Sequence, residues 1–402
     1  MRHLYRISFF YVLLSVVSGC SSGDSTLSSP SDDPADWVVD TSVEYEVTVS
    51  EPQWVVPSPG LPDEVKVRAS NNNVDIEFFE GRLFMGWRTG KTHFADDDVE
   101  MVVVSSGDMG KTWRHETTIA MGNDVREPRF LQWDGKLQMM YFEAGVDFLL
   151  FEPQKIWQTI RGKDGTWGEP EVIIDAVEVP WDVKTRSGVT YMTTYTGGHY
   201  GEGDLYVHFK TTTDGKTWEF YNGTEAVYTG GVSEVAFEFD IDGNMWAVTR
   251  NEDGDHTGLG SHVCFAAADS LDVWECPEVC DPERYDSPEM FRHGKEIYMV
   301  ARRDIGGPYG DEGGDMVPYS TRPKRSALYW IDQANRSVVH MYDIPGVGDT
   351  AFPSIRRIDE HRFLMANYTS PLDQPDLMWV EGQSSADGTQ LYLAEIVFTP
   401  VQ

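Results

Sequence analysis

Residues 234–254 read EVAFEFDIDGNMWAVTRNEDG, and this stretch decides the fold. Apolar and polar side chains alternate on either side of the pair Asp242-Gly243. Alternation with a period of two predicts half-buried β-strands. An Asp-Gly pair between two such runs is a sequence signal of a β-hairpin. The stretch therefore predicts two antiparallel strands joined by a tight turn.

The same hairpin pattern occurs six times along the chain, at intervals of 51 to 65 residues. Each interval leaves room for a second hairpin, which gives four strands per unit, the blade of a β-propeller. Helical periodicity is nearly absent. The sequence therefore predicts an all-β fold, a six-bladed propeller of four-stranded blades. The other five copies are VDIEFFEGRLFMGWRTG from residue 74, EPRFLQWDGKLQMMYFEAG from 127, VKTRSGVTYMTTYTGG from 183, SPEMFRHGKEIYMVARRDIGG from 287 and FPSIRRIDEHRFLMANYTSP from 352.

The second hairpin of several units carries the pattern Ser-x-Asp-x-Gly-x-Thr-Trp. Residues 106–113, SGDMGKTW, fit it fully, residues 213–218 are a shortened copy, and residues 162–167 and 269–274 are weaker ones. In such a turn the Asp carboxylate accepts backbone N–H bonds and Gly supplies a positive φ. We also expect the segment at 44–49 to pair with 390–397 and close the ring, which removes an exposed sheet edge.

The first twenty residues resemble a bacterial lipoprotein signal. Two arginines precede an apolar run that is too short to span a bilayer, and the run ends in Val17-Ser18-Gly19-Cys20. Cys20 is the predicted lipidation site, and Ser21 after it favours the outer membrane. We expect residues 1–20 to be the signal, 21–40 a flexible tether rich in Ser, Asp and Pro, and 41–402 the propeller. An ordinary signal peptide with a chance cysteine is the alternative.

The formal net charge of −34 argues against nucleic acid or an anionic membrane surface as a partner. Contact with a membrane is expected only through the lipid, and we expect a monomer. Export permits a disulfide among Cys264, Cys276 and Cys280, and one local bond is favoured over a zinc site completed by His262. Two acidic loops, 251–255 and 311–315, could hold calcium, but solvated loops are favoured. No metal and no cofactor is expected.

The repeats and the Asp-containing turns resemble the bacterial sialidase superfamily over residues 45–400. The turns match the Asp-box of that superfamily. The resemblance implies a carbohydrate ligand in a central funnel, three arginines that clamp a carboxylate, an acid/base aspartate, and a tyrosine nucleophile activated by a glutamate. Glu234 is similar to that glutamate, and Arg250, 16 residues later, to the second arginine. Arg325 matches the third, and Asp96 is the first choice for the acid/base.

Two positions depart from the family pattern. Asn71–Asp75 stands where the first arginine belongs, and Phe352, which has no oxygen, stands where the tyrosine belongs. A shifted alignment would offer Tyr319 or Tyr368 instead, although neither begins a blade hairpin. The resemblance therefore predicts a sialidase-like site without its usual nucleophile.

The ends of the innermost strands line the channel of a propeller, so polar residues there are ligand candidates on position alone. Each of them has the alternative of a structural ion pair or a solvated charge. We assign Arg88, Glu127 and Glu289 to substrate binding together with Arg250 and Arg325. The rest of the set is Arg126, Asp182, Lys184, Asp286, Arg302, Arg303, Asp349 and Asn367.

Three functions remain open from the sequence. The first is a glycoside hydrolase acting on an acidic sugar, with Asp96 and Glu234 as acid and base and with water as the nucleophile of an inverting reaction. The second is a propeller that binds glycan or protein without catalysis, since a fold does not determine a function. The third is a polysaccharide lyase that uses His199 or Tyr200 as its base.

Overall fold

The computed structural model describes residues 39–148, 150–198, 203–307 and 316–401. In this part of the chain, 25 β-strands form six antiparallel sheets arranged as the blades of a propeller. The first strands of neighbouring blades contact one another, so they surround the central axis. The predicted all-β, six-bladed fold is confirmed. No helix within these ranges has the length and apolar character needed to cross a membrane.

Two short strands, β1 (Tyr45–Val49) and β2 (Gln53–Val56), precede the first blade. In blades 1 to 3 the strands follow one another outward in chain order. Blade 1 contains β3 (Ser70–Phe79), β4 (Arg82–Gly90), β5 (Glu100–Ser106) and β6 (Arg114–Ile119). Blade 2 contains β7 (Val125–Trp133), β8 (Lys136–Glu143), β9 (Ile156–Ile160) and β10 (Glu171–Ile174). Blade 3 contains β11 (Val179–Arg186), β12 (Val189–Gly197), β13 (Leu205–Thr212), β14 (Glu219–Phe220) and β15 (Tyr228–Gly230).

Blades 4 to 6 complete the ring, and two short helices lie in their connections. Blade 4 contains β16 (Val232–Phe239), β17 (Met245–Asn251) and β18 (Val263–Ala266). Blade 5 contains β19 (Asp286–His293), β20 (Glu296–Asp304), β21 (Lys324–Asp332) and β22 (Ser337–Val347), with α1 (Met316–Ser320) between β20 and β21. Blade 6 contains β23 (Ser354–Arg357), β24 (Arg362–Thr369) and β25 (Gln390–Pro400), with α2 (Trp379–Ser384) between β24 and β25.

The N-terminal strands close the ring on blade 6. Strand β1 pairs with the end of β25, from Tyr45 opposite Pro400 to Val49 opposite Ile396. Strand β2 pairs with the start of β25, at residues 391–393. The two chain ends pair as predicted, but the register differs: β1 lies opposite residues 396–400, and β2 opposite 391–393. Sheet closure of this kind covers an edge that would otherwise be free to pair with other chains.

Blade 4 departs from the predicted four strands. Within the described residues it has three, and a single bridge between Phe265 and Glu275, which exchange both backbone hydrogen bonds at 3.0 and 2.8 Å, stands in for the fourth. A disulfide between Cys264 and Cys276 joins the same two segments. The predicted local disulfide is thereby confirmed, and Cys280 keeps a free thiol.

The Asp-containing turn of blade 1 forms the predicted contacts. The Asp108 carboxylate accepts hydrogen bonds from the Thr112 backbone N–H at 2.8 Å and from its hydroxyl at 2.7 Å. These bonds lower the pKa of Asp108 to about 2. Gly110 has φ +81°, and a Cβ there would lie 2.5 Å from Leu393 of blade 6. Glycine therefore suits this position for two reasons, the positive φ of the backbone and the close approach of the neighbouring blade.

Candidate functional site

The innermost strands share an irregularity at the same level of the funnel. In five of the six blades the register with the second strand shifts near the start of the first strand. Such β-bulges leave a residue out of the ladder and redirect its side chain. Four residues at these bulges, Asn73, Glu127, Glu234 and Ser287, line one pocket. Three of them have a positive φ, between 46° and 53°, a strained conformation typical of functional sites.

The pocket has a volume of about 420 Å³, which is within the range of small-molecule sites. Its polar wall includes Arg126, Arg250 and Arg302 as well as the bulge residues. Its apolar wall comes from three places: the loop after β4, the β8–β9 connection and helix α2. The side chains of that wall are Phe94, Ala95, Phe148, Leu150, Phe151, Trp379 and Val380, and Phe352 adds a further ring.

Glu127 is a buried carboxyl group with a neutral partner. The Asn73 amide nitrogen lies 3.3 Å from both of its oxygens. Burial raises the pKa of Glu127 to about 8, and the nearby charge of Glu234 adds to the rise, although Arg129 opposes it. The group is therefore protonated at neutral pH and can donate a proton into the pocket.

Glu234 is equally buried but has charged and polar donors. Its Oε1 lies 2.5 Å from Nη1 of Arg250, and its Oε2 accepts a 2.7 Å hydrogen bond from the Ser287 backbone N–H. Burial raises the pKa of Glu234, whereas Arg250 opposes this rise. The two pocket carboxyl groups thus have different partners, and burial raises the pKa of both.

Arg250 is the centre of a buried ion network behind the pocket wall. Besides Glu234 it contacts Glu252, with Nη2 2.5 Å from Oε1, and its Nε contacts Asp286. Arg284 bonds the same Asp286 at 2.6 Å. Burial alone would raise the pKa of Asp286, but the two guanidinium groups outweigh it and lower that pKa strongly.

Arg302 is held against two aromatic rings. Its Nε donates to the Tyr319 hydroxyl at 2.7 Å and its Nη1 to the Thr350 carbonyl at 3.3 Å. The guanidinium carbon lies 5.0 Å from the centroid of the Trp379 ring. Tyr319 is itself fully buried, with the Arg284 and Lys324 side chains 4.4 and 3.9 Å from its ring centroid. Helices α1 and α2 thus fix this arginine in the wall.

A second group of bonded polar side chains includes the pocket-lining His93 and Tyr368. The Tyr368 hydroxyl donates to Oδ1 of Asp349 at 3.0 Å, and Nδ1 of His93 lies 2.7 Å from Oδ2. Burial raises the pKa of Tyr368 well above its ordinary value, and Asp349 adds to the rise. Next to this group, Arg126 bonds Asp124 at 2.7 Å and the His93 carbonyl at 2.8 Å.

No protein-family model matches the sequence, and no curated protein does. Solved structures do match. The Trypanosoma rangeli sialidase superposes with a TM-score of 0.56 at 14% identity, covering 84% of this chain and 57% of that one. The phage phi92 endosialidase gives 0.55 at 8%, covering 90% and 70%. A protein of unknown function from Dyadobacter fermentans gives 0.53 at 13%, covering 83% and 95%.

The chain is a sialidase-like propeller. At these identities the similarity shows the fold alone, and the chain spans just over half of the trypanosomal sialidase it matches. What this propeller does therefore has to be argued from its own pocket.

Of the residues predicted from the sequence, Glu127, Glu234 and Arg250 line the pocket. Arg88 does not: it is fully buried behind the wall, with Nε 2.7 Å from Asp124. Asp96 lies one residue beyond the pocket-lining Ala95 and bonds Lys91 at 3.3 Å. Asp96, the predicted acid/base, is therefore not among the residues that line the pocket with Glu234.

Arg325 and Glu289 also lie outside the pocket lining. Arg325 is in β21, opposite Arg303, and donates to the Lys324 carbonyl at 2.9 Å. Glu289 lies 3.7 Å from Lys184 and 3.9 Å from Arg356. Burial raises its pKa to about 7 even though Lys184 lowers it. Both partners lie on other innermost strands. The contacts of Glu289 are thus those of a structural ion pair, the alternative given for each candidate residue.

The two positions at which the sequence departs from the family pattern both contribute to the pocket wall. Asn73 occupies a bulge on the pocket wall, in the segment where the first arginine is missing. Phe352 also lines the pocket, packed edge-on against Trp181 at 5.0 Å and under Arg129 at 4.6 Å. Tyr368, one of the two alternative tyrosines, lines the pocket as well. His199, Tyr200 and the acidic loop at 311–315 lie outside the described residues, as do the signal and most of the tether.

Sequence reasoning missed the aromatic wall. Phe94, Phe148 and Trp379 lie in connections between strands, where no periodicity identifies a pocket residue. The only signal was compositional: the connection after β8 carries the run FLLF at 148–151 instead of polar loop residues.

Proposed function

We propose that the chain is a distant relative of the sialidase superfamily that hydrolyses glycosidic bonds, with Glu127 as the general acid and Glu234 as the base. One observation carries the proposal: two buried carboxyl groups, on bulges of blades 2 and 4, line the same pocket with different partners. Asp96 is replaced in this assignment by Glu127, because Asp96 is not on the pocket wall.

The reaction follows from the protonation states. Glu127, protonated below pH 8, donates its proton to the leaving oxygen as the bond from that oxygen to the anomeric carbon breaks. Glu234, whose Oε1 is held by Arg250, is assigned as the base that accepts a proton from the water that attacks the anomeric carbon. The products are the free sugar and the released alcohol, and proton exchange with solvent restores both groups.

Other parts of the pocket support the same reading. The Trp379 and Phe352 rings offer surfaces on which the apolar face of a sugar can pack. The network around Arg250 fixes the base in position, since Ser287 and Arg250 bond different oxygens of Glu234. Lipid anchoring through Cys20, which would bring this activity to the cell surface, is proposed from the sequence alone.

The test uses the purified full chain and a panel of aryl and alkyl glycosides. We expect Glu127→Gln to lower turnover about 10²–10⁴-fold on alkyl glycosides and much less on nitrophenyl glycosides, whose leaving groups need no proton. Activity of the parent should fall as pH rises through about 8, because the acid loses its proton. The matched control is Glu169→Gln, an exposed residue of the same blade.

Two results would overturn the proposal. Equal losses on alkyl and nitrophenyl glycosides would remove Glu127 as the acid. Tight sugar binding with no hydrolysis of any panel member would identify a non-catalytic binding propeller.

A further inference from the structure

Two of the three arginines that line the pocket are bonded to carboxylates. Arg250 contacts the carboxylates of Glu234, Glu252 and Asp286, and Arg126 bonds Asp124. The third, Arg302, is bonded to the Tyr319 hydroxyl and stabilised by the charge of Asp286; these groups raise its pKa even though burial alone would lower it.

At Arg250 and Arg126 a carboxylated ligand would therefore meet guanidinium groups that already have carboxylate partners. At Arg250 it would have to approach three buried carboxylates, and displacing any one of them would leave that carboxylate uncompensated in a buried site. Repulsion from these carboxylates lowers the usual gain of an arginine–carboxylate pair at Arg250.

Two buried polar atoms on the pocket wall have no partner among the described residues. One is Oδ1 of Asn73, an acceptor, and the other is Nε1 of Trp379, a donor. Their side chains belong to residues that are 4% and 8% exposed, and both residues line the pocket. A ligand that satisfies both must donate and accept; a hydroxyl group does both, whereas an ionised carboxylate only accepts.

The apolar wall indicates the shape of the same ligand. The Phe94 and Phe148 rings lie 4.4 Å apart between centroids, and Phe148 is 52% exposed although it lines the pocket. Flat apolar surfaces next to isolated polar atoms suit a pyranose ring, which has C–H faces and hydroxyl edges.

We infer that the pocket selects an uncharged, polyhydroxylated sugar ring and discriminates against carboxylated sugars. This inference rests on the proposed function for its site but concerns its substrate class. The arginines in the sequence had led us to expect an acidic sugar as the ligand, and this inference reverses that expectation.

The test measures binding, so its result does not depend on hydrolysis. Calorimetric titrations of the full chain use matched pairs that differ only at C6: methyl glucoside against methyl glucuronide, and methyl galactoside against methyl galacturonide. N-acetylneuraminic acid is the third carboxylated probe. We expect the neutral member of at least one pair to bind about tenfold more tightly than its acid, with little effect of salt. Tighter binding of any acid, or no binding of either neutral probe, overturns the inference.

Two variants test the physical cause. Trp379→Phe keeps the aromatic surface and removes the unpartnered N–H, so neutral-sugar affinity should fall about two- to tenfold, the effect of one hydrogen bond. Glu252→Gln removes one acidic partner of Arg250, so the ratio of acid to neutral affinity should rise. Glu169→Gln should change neither. An unchanged ratio in a folded Glu252→Gln protein, or unchanged affinity in Trp379→Phe, counts against the inference. Binding without hydrolysis would instead remove the proposed function alone.

Discussion

Replacement of Arg250 by methionine should destabilise the protein more than any comparable surface change. The side chain is 5% exposed and contacts Glu234, Glu252 and Asp286. Methionine fills a similar space but leaves the three acids without their common cation. Breaking a buried ion pair by removing one partner costs about 3–5 kcal/mol, and three partners place the expected loss at the upper end of that range.

The loss should depend on pH in a defined direction. In the parent, Arg284 and Arg250 overcome the effect of burial and hold the pKa of Asp286 below its ordinary value. Asp286 therefore contributes stability above its unfolded pKa, and this contribution is lost as pH falls through the folded one. In Arg250→Met the folded pKa of the acids rises, so the variant is helped by protonation at low pH. The difference between parent and variant should thus grow from about pH 4 to pH 7.

Equilibrium unfolding in urea at several pH values measures this difference. The control is Arg303→Met, which breaks an exposed pair with Asp343, where the two side chains are each 37% exposed. That change should cost about 0–1 kcal/mol at every pH. Equal losses in the two variants, or an Arg250→Met loss that does not vary with pH, would refute the assignment of Arg250 as the shared cation of three buried acids.

Three further outcomes are expected. Tyr368→Phe should retain most hydrolytic activity, because the proposed reaction uses carboxyl groups; a loss above about 10³-fold would assign nucleophilic chemistry to the tyrosine. Replacing Cys264 and Cys276 together by alanine removes the cross-link between residues 12 positions apart and should cost about 3 kcal/mol in thermal unfolding. Cys280→Ala should behave as the parent, and reduction should lower the stability of these two proteins but not of the double variant. Cys20→Ser should release a folded protein from the membrane fraction, and persistent membrane attachment would exclude the lipid anchor.

The propeller could be predicted because its signal is repeated. One hairpin such as residues 234–254 is ambiguous, but six at similar spacing leave room for four strands each, and strands are the only elements that fit. The missing fourth strand of blade 4 was not predictable in the same way. It is reduced to the Phe265–Glu275 bridge, and a segment that pairs at one residue has no alternation to detect.

The site was predictable only in part, because several of its residues lie at bulges that interrupt the alternation of the strands. Glu127 was selected for its position at a strand end, but as a binding residue, because burial and its effect on the pKa cannot be read from alternation. Arg325 was selected by its place in the family pattern. Arg302, a candidate from its strand-end position alone, lines the pocket, because it lies near the end of β20, where helices α1 and α2 pack against it. Asp96 differs from the pocket residue Ala95 by one position in a loop without periodicity.

Several pocket residues lie at the bulges of the innermost strands. Ligand recognition can therefore change while the fold stays the same. A residue outside the ladder contributes little to strand pairing, so Asn73, Glu127, Glu234 and Ser287 can be exchanged without rewriting the blades around them. Where φ is positive, the exchange is limited to residues that tolerate a left-handed backbone. Directed variation at Asn73 and Ser287, whose side chains are not the proposed acid or base, is therefore a compact route to new sugar specificities in unchanged blades.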